Sequence, residues 1–157
     1  MENTIIEALS QALNSQSVQK LFTMLGTYQT IEHVHDGSII YQFLNNHVDA
    51  SFDENDVLTK FEIRVASAQI SPFEDIIKKY AHKSDILQCL GHPKITHSQD
   101  PNNENVVLGY DLETYWIRFE LNKDKTHKIV YLSLSAIGSG YKQSTRIMRT
   151  CKSSGKT

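Results

Sequence analysis

Cysteine is scarce in this chain, with two among 157 residues. A small secreted domain built around disulfides would carry more. Cys89 lies in an apolar helical stretch and Cys151 in a polar terminal one, so both are expected as reduced thiols. Long apolar runs are missing too: nothing approaches the roughly 20 residues that a membrane-crossing helix needs. The opening residues Met1-Glu2-Asn3-Thr4 offer neither a basic start nor a long apolar stretch. No secretory signal is read there, and a cytoplasmic location is expected. Acids are absent from Gly138 to Thr157, where Lys142, Arg146, Arg149, Lys152 and Lys156 stand. Without those five cations the 16 lysines and arginines fall to 11 against 18 acids. Residues 1–137 therefore carry a net charge of −7, although the whole chain carries −2. An acidic body discourages nucleic acid and speeds encounter with a basic partner.

Catalytic signatures are also missing. There is no Gly-x-Ser-x-Gly elbow, and Cys89 sits near a helix C-terminus, where the helix dipole disfavours a thiolate. Gly138-Ser139-Gly140 lacks the lysine and following helix of a phosphate loop. His33-x-His35 puts two imidazoles on one strand face, but a zinc site needs three or four ligands. Asp53, Glu54 and Asp56 could hold calcium weakly, yet they lack the glycine and closing glutamate of an EF-hand. The expectation is a chain with no cofactor, no metal and no catalysis.

What is present is an ordinary globular composition, 39% hydrophobic and 22% charged. Apolar spacing predicts a helix over 4–14, through Ile5, Ile6, Leu9 and Leu13, and a second one capped by Ser17 and stopped by Gly26. Strands are expected at 30–34, 38–44, 47–52 and 57–65, separated by Asp36-Gly37, Asn45-Asn46 and the polar turn 53–56. Ser71-Pro72-Phe73-Glu74 has the form of a capping box and predicts a helix to about Tyr80. Ser84 is expected to cap another short helix, stopped by Gly91 and Pro93. Strands follow at 94–97, 106–111, 114–121 and 128–134, and the chain ends in a loose basic tail.

The two series match. Leu21–Gly26 lies over Ile86–Gly91 at an offset of 65, and Phe43 and Phe52 lie over Tyr110 and Phe119 at an offset of 67. The expected architecture is α+β: two tandem copies of a helix-helix-antiparallel-sheet module with three or four strands each. The first copy covers 1–70, the second covers 71–137, and the tail covers 138–157. A half of roughly 65 residues buries too little to be comfortable alone, so the copies should dock. A short helix ending in Leu-Gly, as in Leu90-Gly91-His92-Pro93, is followed by hairpins. Ala50-Ser51-Phe52-Asp53 and Ile117-Arg118-Phe119-Glu120 then each enter a polar turn. Over 17–135 this pattern resembles the SmpA/OmlA-like module and its tandem arrangement in β-lactamase inhibitor proteins. Small bacterial toxin-immunity proteins share such compact α+β layouts. The first copy departs from the pattern, with Tyr28 where the proline would stand. The resemblance implies a layout and a tendency to bind proteins, and no binding residue is carried over from it.

Alternation along 114–121 sends Tyr115, Ile117, Phe119 and Leu121 to one face and Trp116, Arg118 and Glu120 to the other. A four-residue turn at 122–125 would set Trp116 opposite Tyr131 and Arg118 opposite Ile129, an aromatic and cationic group of hot-spot type. The same face of the first copy reads His47, Asp49, Lys60 and Glu62. The expected partner-binding set is Trp116, Arg118, Tyr131 and Ile129 with the acids Asp49, Asp53, Glu54, Asp56 and Glu120. The expected partner is a basic toxin domain, which makes the chain a cytosolic inhibitor of the immunity kind. Two alternatives stay open. One is a small-molecule or catalytic cleft between the copies using Tyr41, His47, Asp111 and Tyr115. The other is an assembly subunit that dimerises through its sheet edges.

Overall fold

The structure, a computed structural model, describes residues 1–65, 71–98 and 105–137. Along the chain run α1 (Glu2–Ala8), α2 (Gln16–Leu25), β1 (Thr30–His33), β2 (Ile39–Phe43), β3 (Val48–Phe52) and β4 (Leu58–Arg64). Then come α3 (Glu74–Lys79), α4 (Lys83–Leu90), β5 (Ile95–Ser98), β6 (Asn105–Asp111), β7 (Tyr115–Asn122) and β8 (Ile129–Ala136). The fold is α+β, and the strands form one antiparallel sheet in the order β1-β2-β3-β4-β8-β7-β6-β5. Two four-stranded meanders thus meet at their last strands, with Phe61 opposite Leu134 and Ile63 opposite Leu132. The expected tail 138–157 and most of the loop at 100–105 lie outside the described residues, as does the boundary near residue 70.

Local chemistry sets the element ends. Gly26 and Gly91 close α2 and α4 at φ +82° and +74°, a region that glycine enters without a Cβ clash. Asp36 turns β1 into β2 by accepting from the Ser38 amide at 2.9 Å. Asp53 turns β3 into β4 by accepting from the amides of Asn55 and Val57 at 2.9 and 3.0 Å. Several sequence expectations need correction. α1 stops at Ala8 instead of reaching residue 14. Ser10 takes φ 65°, and its amide donates to Leu58 O, so the chain leaves the helix to run beside β4. Ser15, not Ser17, caps α2 by accepting from the Val18 amide. The Ser71 capping box does not form, because α3 starts at Glu74 behind Phe73. Ser84 lies inside α4, whose start is held by a reciprocal pair, His82 and Asp85.

The register of β7 with β8 differs by four from the one expected. Trp116 faces Ser135 and Arg118 faces Ser133, while Tyr131 faces Glu120. The cause is the turn. Asp124 accepts from the Thr126 amide and hydroxyl, and His127 donates to Asp124 O, so residues 126 and 127 belong to the turn. A bulge between Glu120 and Leu121 then sets Ile129 opposite Leu121. Ile129 is 5% exposed and belongs to the core, which corrects its assignment to the partner-binding face.

One sheet face and the helices share a single core. Ile5 of α1, Val18 and Leu21 of α2, Ile76 of α3 and Ile86 of α4 join Phe43, Phe52, Phe61, Phe119, Leu132 and Leu134 there. Tyr80 lies 4.9 Å from Phe119, ring to ring, and Phe73 lies 6.0 Å from Phe61. Glu2 ties α1 to the end of α3 by accepting from Lys79 Nζ and Tyr80 OH, each at 2.7 Å. Phe61→Ala at the β4–β8 join is expected to cost about 3–5 kcal/mol, the range for a buried phenylalanine. In urea, the curves followed by Trp116 fluorescence and far-UV circular dichroism should shift together to lower midpoint. Curves that separate would show that the two meanders unfold independently.

Candidate functional site

The opposite sheet face carries no helix among the described residues, and every second residue of each strand points to it. Register alone defines its rows. One runs Gln42, Asp49, Glu62, Ser133, Arg118, Gly109 and Ile95 from β2 to β5. A second runs Ile40, Ser51, Lys60, Ser135, Trp116 and Asp111. A third holds Arg64, Tyr131 and Glu120. The middle positions are small: Ser133 and Ser135 are 3% and 5% exposed, flanked on β4 and β7 by long side chains. At Gly109 an added Cβ would come within 3.3 Å of the Ile95 Cβ, so glycine leaves room for that isoleucine.

Charges on this face are mutually neutralised. Arg64 Nη2 donates to Asp49 Oδ2 at 2.6 Å, and its Nη1 donates to Asn46 O at 3.0 Å. That bond to Asp49 is the main reason the Arg64 guanidinium titrates even higher than usual. Lys60 reaches Glu62 at 2.8 Å, and Arg118 reaches Glu120 at 2.6 Å. Tyr131 donates to Glu62 and lies under the Arg118 guanidinium, whose centre is 5.9 Å from the ring. Burial, and then the Glu62 charge, pushes the Tyr131 phenol up to about 12. At the far side Lys94 stands 5.2 Å from the Trp116 ring centroid and 3.0 Å from Asp111. That hydrogen bond holds the Asp111 carboxyl below its ordinary range. Among the described residues, two buried polar side-chain atoms find no partner: Asp49 Oδ1 and Arg118 Nε.

The structure therefore brings Trp116, Arg118, Glu120 and Tyr131 to one surface, together with Asp49. Asp49 is not an open acid: it is 4% exposed and clasped by Arg64. Asp53, Glu54 and Asp56 stand apart from the face, on the β3–β4 turn at its end. Sequence reading missed Arg64 and Lys94, because each acts across strands. The i, i+2 spacing of Lys60, Glu62 and Arg64 was the available signal. The residues proposed for a cleft do not converge. Tyr41 lies in a ring cluster with Phe22, Tyr28 and Phe52, His47 closes the β2–β3 turn, and Tyr115 is on the helix side. A depression of about 270 Å³ between α1 and α3, lined by Met1, Glu2, Asn3, Asp75, Ile76 and Lys79, contains none of them. Among the described residues no group of three or more histidines, cysteines and acids could hold a metal. Nor is any described helix long and apolar enough to cross a membrane.

No family model matches the chain, and no curated sequence matches it. Solved structures share the fold. One is a DUF4309 family protein (YjgB) from Bacillus subtilis subsp. subtilis str. 168, with a TM-score of 0.53 and 11% identity over 85% of this chain and 91% of that one. Another is a cysteine-rich secretory protein (SAV1118) from Staphylococcus aureus subsp. aureus Mu50. Its TM-score is 0.54 at 9% identity, covering 83% of this chain and 44% of that one.

Tyr131 gives this face a pH signature. A phenol whose folded pKa of about 12 exceeds the unfolded value of about 10 stabilises the fold fully below pH 10. That contribution is lost as pH rises from 10 towards 12. Tyr131→Phe should cost about 1–2 kcal/mol at pH 7, through the lost bond to a carboxylate. It should also reduce the alkaline fall in stability, to which the buried Tyr80 and Tyr110 phenols contribute in the same direction, measured by urea unfolding at pH 7 and at pH 11. An unchanged alkaline slope would mean that Tyr131 contributes nothing to it.

Proposed function

We propose that the chain is a non-catalytic protein-binding protein whose partner seats on the helix-free sheet face. The observation that carries this reading is the group Trp116, Arg118 and Tyr131, partly buried together on a face whose central strand presents Ser133 and Ser135 beside them. Tryptophan, tyrosine and arginine are the residues that dominate interface energies. In its specific form the protein is a cytosolic inhibitor that neutralises a bacterial toxin domain, as the resemblance to immunity-type layouts suggests. Because the charges on the face are already paired, its basic partner is steered by the acidic rim. Asp36, Asp53, Glu54 and Asp56 stand on turns at one end of the sheet, and the body has net charge −7.

We infer also that the chain is two copies of one module, 1–70 and 71–137, followed by the basic tail 138–157. Supporting this, the order of two helices and four strands recurs, and Gly26 and Gly91 end α2 and α4 in the same conformation. Phe43 and Tyr110, and likewise Phe52 and Phe119, occupy buried positions on equivalent strands. The copies share their inward faces and differ outward, where specificity would reside.

The test is titration calorimetry with a toxin domain encoded beside this chain. Submicromolar binding is expected, with Trp116→Ala weakening it about 30-fold or more, as loss of a hot-spot aromatic does. Wild-type protein that neither binds nor protects against that toxin would defeat the inhibitor reading. Binding that ignores Trp116→Ala would move the site elsewhere.

A further inference from the structure

The two free edges of the sheet are not alike. At the β5 edge, Ile95 is 6% exposed because it lies over Gly109. At the β1 edge, all four residues are exposed, including Ile31 on the helix-side face, so helix cover stops short of this strand. Met24, Tyr28 and Ile31 are 41%, 42% and 40% exposed, and they fall within eight residues of chain. Tyr28 packs against Tyr41, 5.2 Å between ring centroids, and Ile31 sits opposite the same Tyr41 in the ladder. An open strand edge beside uncovered apolar side chains is what natural sheets avoid unless something pairs with it.

We propose that β1 is the seam of a homodimer, in which two copies pair β1 with β1 antiparallel about a two-fold axis through Ile31. A two-fold contact joins one surface to itself. To continue a sheet with its faces matched, each residue must oppose a residue from the same face. The axis must then pass through one of the four β1 residues. Placing it at Glu32 would set two carboxylates directly opposite, which is unfavourable. Placing it at Thr30 or His33 would leave Ile31 opposite Gln29 or His35. With Ile31 on the axis, apolar meets apolar, Glu32 opposes Thr30 of the second copy, and His33 opposes Gln29. No like charges face one another, and each polar pair can hydrogen-bond. Tyr28 and Met24 of both copies then flank the axis near the helix-side face. This seam lies at the sheet edge, away from Trp116, and does not depend on the partner-binding reading.

Disulfide trapping tests the register. In a background with Cys89→Ser and Cys151→Ser, Ile31→Cys places two thiols on the axis. Opposed Cα atoms in an antiparallel pair are about 4.5–5.5 Å apart, within disulfide reach. Glu32→Cys leaves its two Cα atoms offset by two residues, about 8 Å apart and out of reach. The expected result is a wild-type protein sedimenting at twice the chain mass, with covalent dimer from Ile31→Cys and none from Glu32→Cys. Ile31→Arg should sediment as a monomer with an unchanged far-UV spectrum. A wild-type protein that stays monomeric at high concentration overturns the proposal, and so does cross-linking through Glu32→Cys but not Ile31→Cys.

Discussion

The pairing of β4 with β8 is the constraint on which the molecule depends. Each four-stranded meander taken alone would expose its last strand as an edge. Those strands carry large buried inward residues, Phe61 and Ile63 against Leu132 and Leu134. Joining them turns two marginal sheets into one and brings those inward residues to its centre, where burial contributes most. The Glu2 clasp on Lys79 and Tyr80 repeats the joint on the helix side. It ties the first helix of the chain to the first helix after β4.

The join also shapes the helix-free face. Ser133 and Ser135 on β8 lie between the long side chains of β4 and β7, a low strip along the centre of the sheet. Charges on either side are spent on each other, and Tyr131 links both sides through Glu62 and Arg118. Such a surface holds its shape before anything arrives, so little side-chain entropy remains to be lost on contact. The proposed recognition there would rest on shape and on aromatic area more than on net charge.

Much of this was legible in the sequence, and the failures share a cause. Strands and most turns were readable because alternation and residues such as Asp36-Gly37 act locally. The inward and outward sets of β7 were also readable, since a register error of four residues leaves the faces unchanged. Ile129 was misassigned because a bulge, which depends on the facing strand, moves it from one face to the other. Ser17, Ser71 and Ser84 were read as caps because serine suits the role. Competing partners won instead: Ser15 for the first, His82 with Asp85 for the last. α1 was extended to residue 14 because Leu9 and Leu13 keep helical spacing, yet the backbone there bonds to β4. Asp49 looked like an accessible acid until the register put Arg64 within reach of it. Information carried across strands is not written at any one position.

The position of β8 in the chain has a consequence for synthesis. β4 finds its second neighbour about seventy residues later, in the last strand described. While the chain emerges, the first meander can form, but its inner edge stays open with Phe61 and Ile63 beside it. Such long-range antiparallel pairing is slow compared with helix or hairpin formation. The nascent protein therefore passes through a half-sheet with an adhesive margin, and closes it only once β8 has been made. Substitutions in β8 should show themselves as losses of yield in cells out of proportion to their effect on the finished fold.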